Sequence, residues 1–175
     1  MKILSFPEFR QTFEYDCGAN ASQAVLAYYG FDVSEEILLK TERTVKTGTS
    51  PKDIERTMKK FGLKVDAGKM DVEQIKKYID KKIPVIMLLQ AWSGEKNKNY
   101  KKDWDDGHYV VAIGYDKNHL YFEDPYSVLR TYLSIKEVNE RWHDDTVKQG
   151  KLKNMGIAVY GKRACYNLSK MFHMG

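Results

Sequence analysis

Helix signals crowd the first half of the chain, and short apolar runs of strand length crowd the second. From Cys17 to about Tyr29 a helix is predicted, with Asp16 placed to cap it and Gly30 placed to end it. Ser34 followed by Glu35 and Glu36 starts a second, short helix. Ser50-Pro51-Lys52-Asp53 combines a cap, a first-turn proline and an acid near the positive helix end. That helix is expected to run to Phe61 and stop at Gly62. Asp71 with Gln74 three residues later opens another, ending near Asp80. Ile83 to Leu89 is then fully apolar and reads as a buried strand with proline near its start. His108 to Tyr115 reads as a second strand, and Asp116-Lys-Asn-His119 as a hairpin turn. Leu120–Glu123 and Val128–Tyr132 follow, joined by the turn Asp124-Pro-Tyr-Ser127. Ser134 with Glu137 is a capping box for a helix to about Trp142, and Met155–Tyr160 is a last strand. Helices first and a mostly antiparallel sheet afterwards place the chain in the α+β class.

The length of 175 residues suits one domain, 1–175, with a polar tail over 162–175 that is expected to fray. Hydrophobic residues at 42% and charged residues at 30% are ordinary globular values, so disorder is not expected. The formal charge of +5 reads as a lysine-rich solvated surface. No basic stripe or reading motif points to nucleic acid. Cys17 and Cys165 make no disulfide framework and read as reduced thiols in a cytoplasm. No apolar run is long enough to span a membrane, and no signal peptide is evident at the start. His119 reads as a turn residue, His143 as a helix end and His173 as tail, so no metal spacing emerges.

The chemistry gathers at Gln11, Cys17, His108 and Asp124. A nucleophilic cysteine works as thiolate, and the positive end of a helix favours that form. Cys17 sits at such a predicted start, followed by Gly18, which would let a substrate backbone approach. Gln11 could donate a hydrogen bond to an oxyanion formed when Cys17 attacks a carbonyl. His108 opens a strand right after Asp106-Gly107 and supplies a base. The hairpin at Lys117-Asn118 should bring Asp124 back beside His108 to orient it. Asp116 and Asn118 are weaker orienters, because the hairpin puts them at its far end. Taken alone, Cys17 reads as a buried structural cysteine, Asp124 as a turn starter and Gln11 as a surface glutamine. Their order along the chain with His108 favours catalysis.

Three segments together, Gln11-Thr-Phe-Glu-Tyr-Asp-Cys-Gly-Ala19, Gly107-His-Tyr-Val-Val-Ala-Ile-Gly-Tyr-Asp116 and Glu-Asp-Pro125, carry a family resemblance. They resemble the papain-like peptidases of cysteine-peptidase family thirty-nine, the domains that cleave double-glycine leader peptides from bacteriocin precursors. The likeness runs roughly from Phe9 to Tyr160 and takes in Leu26-Ala-Tyr-Tyr-Gly30 and Gly48-Thr-Ser50. It implies a papain-like α+β fold with Gln11 as oxyanion-hole donor, Cys17 as nucleophile, His108 as base then acid, and Asp124 as orienter. It also implies a peptide or protein substrate with glycine before the scissile bond. Typical members sit at the N-terminus of a transporter with membrane helices and an ATPase. This chain has neither and no phosphate-binding Gly-Lys loop, so a transporter or partner protein would be a separate chain. The mechanism needs no cofactor. Two other readings stay open: a peptide transferase or ligase using the same thioester, and a non-catalytic peptide-binding module. The segment from Ala91 to Gly107 is long for a loop. It is expected to be a flap whose Lys96, Lys98, Lys101 and Lys102 contact an acidic peptide, or else a mobile solvated insertion.

Overall fold

Strands β3 (Val85–Gln90) and β4 (Gly107–Tyr115) form the centre of the structure, a computed structural model that describes residues 1–171, 173 and 174. Around them a seven-stranded antiparallel sheet runs in the order β2-β9-β3-β4-β5-β6. Its other members are β2 (Lys64–Lys69), β5 (His119–Glu123), β6 (Thr131–Ser134) and β9 (Met155–Tyr160). Short β1 (Lys2–Ile3) pairs with the end of β4. A separate hairpin joins β7 (His143–Thr146) to β8 (Gly150–Lys153).

Every residue of β3 is buried, so the sheet must be covered on both faces. Helix α1 (Cys17–Tyr28) covers one, seating Gly18 against Tyr109. A Cβ on Gly18 would stand 2.8 Å from the Thr49 side chain. This close packing by itself calls for a glycine at this position. Helix α5 (Ile135–Arg141) covers the other face, where Arg141 lines a cavity with Leu89, Val110, Phe122 and Leu133. Helices α2 (Glu35–Thr41) and α3 (Pro51–Lys60) pack on α1, and α4 (Val72–Asp80) packs on β3 and β4.

The capping expectations hold at α2, where Ser34 Oγ accepts from the Ile37 amide, and at α4 and α5, which carry full capping boxes. They fail at two helices. Asp16 sits at the N-cap of α1 but its carboxylate turns back to the amides of Thr12 and Phe13. Ser50 makes no cap either; its Oγ donates to Gln149 Oε1, which reaches across to accept from the Lys52 amide and satisfies the start of α3. A long-range partner displaced the local one at Ser50, while Asp16 turned to amides three and four residues back in the preceding turn.

Strands β1, β2, β7 and β8 carry no sequence signal of the kind that marks β3 and β4. β2 is a polar edge strand with only Val65 and Gly68 partly buried, so no apolar alternation shows. His143 opens β7 rather than ending a helix. The tail is held at its start: the amides of Cys165 and Tyr166 donate to the Tyr28 carbonyl. Residues 172 and 175 of that tail lie outside the described residues. Among the described residues, no helix is long and apolar enough to cross a membrane.

Candidate active site

Cys17 is the first residue of α1 and His108 the second of β4, and the packing of α1 on β4 brings them together. The β4–β5 hairpin, in register at Val111 and Glu123, returns Asp124 to the same end. His108 Nε2 lies 2.7 Å from Asp124 Oδ1. An ionised carboxylate only accepts, so Nε2 carries a proton, and Nδ1 is the ring nitrogen left for Cys17. His108 and Cys17 are both more than nine-tenths buried. Burial opposes a charged imidazole, but the bond His108 donates to Asp124 and the interaction with Cys17 outweigh it and push the His108 pKa up to about 9. Burial would equally raise Asp124; the partnership with His108 holds it below the usual carboxylate range. Asp116 and Asn118 close the turn at the far end of the hairpin.

Residues that carry no signal in the sequence complete the pair. Asp124 Oδ2 accepts from Trp92 Nε1 (3.2 Å) and Thr131 Oγ1 (3.1 Å), and Oδ1 also accepts from the Tyr126 amide (3.0 Å). Trp92 stacks on Tyr126, with ring centroids 4.8 Å apart, and shelters the buried carboxylate. It has φ 59°, an unusual backbone for an aromatic residue, at the point where the chain leaves β3.

Gln11 stands at the rim. Its main-chain amide donates to the Pro125 carbonyl and its Nε2 donates to the Phe13 carbonyl at 2.7 Å. A primary amide has two N–H donors, so one remains. Cys17 lies between two cavities. One, of about 670 Å³, is lined by Gln11, Tyr15, Trp92, His108 and Tyr126. The other, of about 90 Å³, is lined by Thr47, Thr49, Leu88, Tyr109 and Val147, and does not include His108.

The 91–107 loop differs from the expected lysine flap. Lys98 Nζ is within 3.3 Å of carboxylate oxygens of Glu95, Asp103 and Asp106, all in the loop itself. His143 Nε2 bonds the Asp103 carbonyl, and Tyr100 lies under the Arg141 guanidinium. Buried Gln90 accepts from the Asp106 amide and donates to Asp144. The loop is tied down along its length, and its carboxylates Asp105 and Asp106, not those lysines, line the cavity at Cys17. Among the described residues no group of three or more His, Cys, Asp or Glu side chains could hold a metal ion.

Helices packed on an antiparallel sheet, with a thiol at a helix start facing an imidazole–carboxylate pair at a strand start, are the arrangement of the papain-like peptidases. The model of the peptidase C39 family matches residues 5–149. The chain belongs to that family, and so to the peptidases. Solved structures share the fold. The peptidase domain of Streptococcus ComA, a bifunctional ABC transporter, is 24% identical with a TM-score of 0.68, covering 88% of this chain and 97% of that one. A C39-like peptidase from Bacillus anthracis is 18% identical with a TM-score of 0.70, covering 94% and 98%. A double glycine motif protease from an AMS/PCAT transporter, solved with its leader peptide, is 18% identical with a TM-score of 0.67, covering 91% and 94%. No functionally curated protein matches the chain.

Proposed function

We propose that the protein is a cysteine peptidase that cleaves a peptide bond after a small residue through a thioester on Cys17. The hydrogen-bonded Asp124–His108 pair, with Cys17 interacting with the imidazole, carries this reading. His108 holds the proton given up by the Cys17 thiol, and the Cys17 thiolate attacks the scissile carbonyl. The second Gln11 N–H and the Cys17 amide at the α1 N-terminus are the donors for the oxyanion. The C–N bond breaks as His108 Nδ1–H protonates the leaving amine. Water then attacks the thioester, His108 accepts its proton, and the carboxylic acid and free thiol are released.

The two cavities follow from that proton transfer. The leaving amine must lie next to His108, so the segment after the scissile bond occupies the 670 Å³ cavity. The acyl segment occupies the smaller cavity, lined by Thr47, Thr49, Leu88, Tyr109 and Val147. Exposed Val128, Leu129 and Tyr132 beside the Asp124 turn offer apolar surface for more distant substrate residues.

The test is cleavage of peptides that carry Gly-Gly, Ala-Ala or Leu-Leu before the scissile bond. The expected order is Gly-Gly over Ala-Ala, with Leu-Leu uncut. Cys17→Ala and His108→Ala should each lower kcat/KM by about 10³-fold or more. An added amine nucleophile, with products weighed by mass spectrometry, separates hydrolysis from transfer. Turnover that survives Cys17→Ala would end the reading.

A further inference from the structure

The residue just before the candidate nucleophile has a task that the reaction scheme does not assign. Asp16 is fully buried and stands where a helix cap would stand, yet it caps nothing. Its Oδ2 accepts from the amides of Thr12 (3.1 Å) and Phe13 (2.8 Å). The same turn is closed by Gln11 Nε2 on the Phe13 carbonyl and moored by the Gln11 amide on the Pro125 carbonyl. We propose that Asp16 is a positioning residue for acyl transfer: its carboxyl group clamps the Gln11–Tyr15 turn so that Gln11 stays at the cavity it shares with Cys17. This rests on the oxyanion role given to Gln11 above.

Two further observations fit a built clamp. Asp16 Oδ1 is buried with no hydrogen-bond partner among the described residues. Glu35, from α2, is the neighbouring carboxylate; it accepts from Thr12 Oγ1 (2.7 Å) and from Asn20 Nδ2 (3.4 Å), so it braces the same turn. Burial, opposed by the Phe13 amide and reinforced by Glu35, holds the Asp16 carboxyl above the usual carboxylate range.

The variants are Asp16→Ala and Asp16→Asn. An asparagine oxygen still accepts from both amides, so Asp16→Asn should keep the clamp. Thr12 and Phe13 are exposed residues, so Asp16 is what shields their amides from exchange. In Cys17→Ala protein, Asp16→Ala should speed exchange of those two amides at least tenfold, and Asp16→Asn should not. That readout needs no turnover. Unchanged protection in Asp16→Ala overturns the proposal. In active protein, Asp16→Ala should lower kcat by about 10²-fold, the scale of a lost oxyanion donor, with KM within about threefold. The Gln11→Ala/Asp16→Ala double variant should be no worse than the worse single. The rate of Cys17 alkylation should be unmoved. Additive losses, or a neutral Gln11→Ala, overturn the action through Gln11 and leave the peptidase reading standing if Cys17→Ala is dead. If no peptide is cut but the exchange pattern holds, the peptidase reading fails and the clamp does not.

Discussion

Each oxygen of the Asp124 carboxylate accepts two hydrogen bonds, and only one of the four comes from His108. The others fix the carboxylate so that the imidazole has one place to point. Trp92→Phe removes the indole donor while keeping the stack on Tyr126. It should lower kcat about tenfold and the melting temperature by several degrees, since a hydrogen bond to a buried charge is worth about 1.5–3 kcal/mol. Steady-state kinetics beside a thermal melt check this. The raised His108 pKa has its own signature. His108 must be protonated to deliver a proton to the leaving amine, so kcat/KM should fall as pH rises through about 9. An alkaline limb near the ordinary histidine value would show that Asp124 and Cys17 do not hold the imidazolium in the free protein.

The elements position the site through contacts that no short window of sequence reveals. The β7–β8 hairpin is one. Asp144 on β7 stands against Gly107, where a Cβ would come within 2.4 Å of its carboxylate. Gly107→Ala would push Asp144 off Gln90 and disturb the start of β4 beside His108. A loss of about 1–3 kcal/mol in denaturant unfolding is expected, the range for overpacking. The 91–107 loop is another. Its Lys98 clamp predicts that Lys98→Met speeds proteolytic nicking within the loop while leaving global unfolding nearly unchanged, as limited proteolysis would show.

At the scale of the whole molecule, three buried groups tilt stability with pH in the same direction. Burial pushes Glu42 and Glu123 each up to about 8, with Asp53 adding to Glu42 and with Asp124 and Glu8 adding to Glu123. His108 is raised to about 9. A group whose folded pKa lies above its unfolded value binds more protons when folded. Its contribution is complete below the unfolded pKa and is lost as pH rises through the folded one. The window for the two glutamates runs from about 4.5 to about 8, and for His108 from about 6.5 to about 9. Acting the other way, Lys148, Arg43 and Arg56 overcome burial and hold Asp53 down at about 2, so its contribution is lost only in strong acid. The melting temperature should therefore be highest in mildly acidic buffer and fall by several degrees towards pH 9. A melting temperature that rises from pH 5 to pH 9 would contradict this balance.

The sequence by itself determined what short-range chemistry controls. Ser34, the Asp71–Gln74 pair and the Ser134–Glu137 pair start their helices because the capping partner is only three residues away. The apolar runs of β3 and β4 read as strands because they are short, continuous and rich in β-branched residues. The pairing of Asp124 with His108 was legible because a hairpin is a local device with a fixed return. Tertiary structure alone decided the rest. Asp16 and Ser50 left their expected caps for Thr12, Phe13 and Gln149, since a buried carboxylate or hydroxyl takes whichever donor or acceptor the packing presents. Trp92 and Thr131 joined Asp124 from two separate strand ends, with no spacing to announce them. Edge strand β2 and hairpin β7–β8 are too polar to show alternation, because their ordering comes from pairing partners distant in the chain and not from an apolar face.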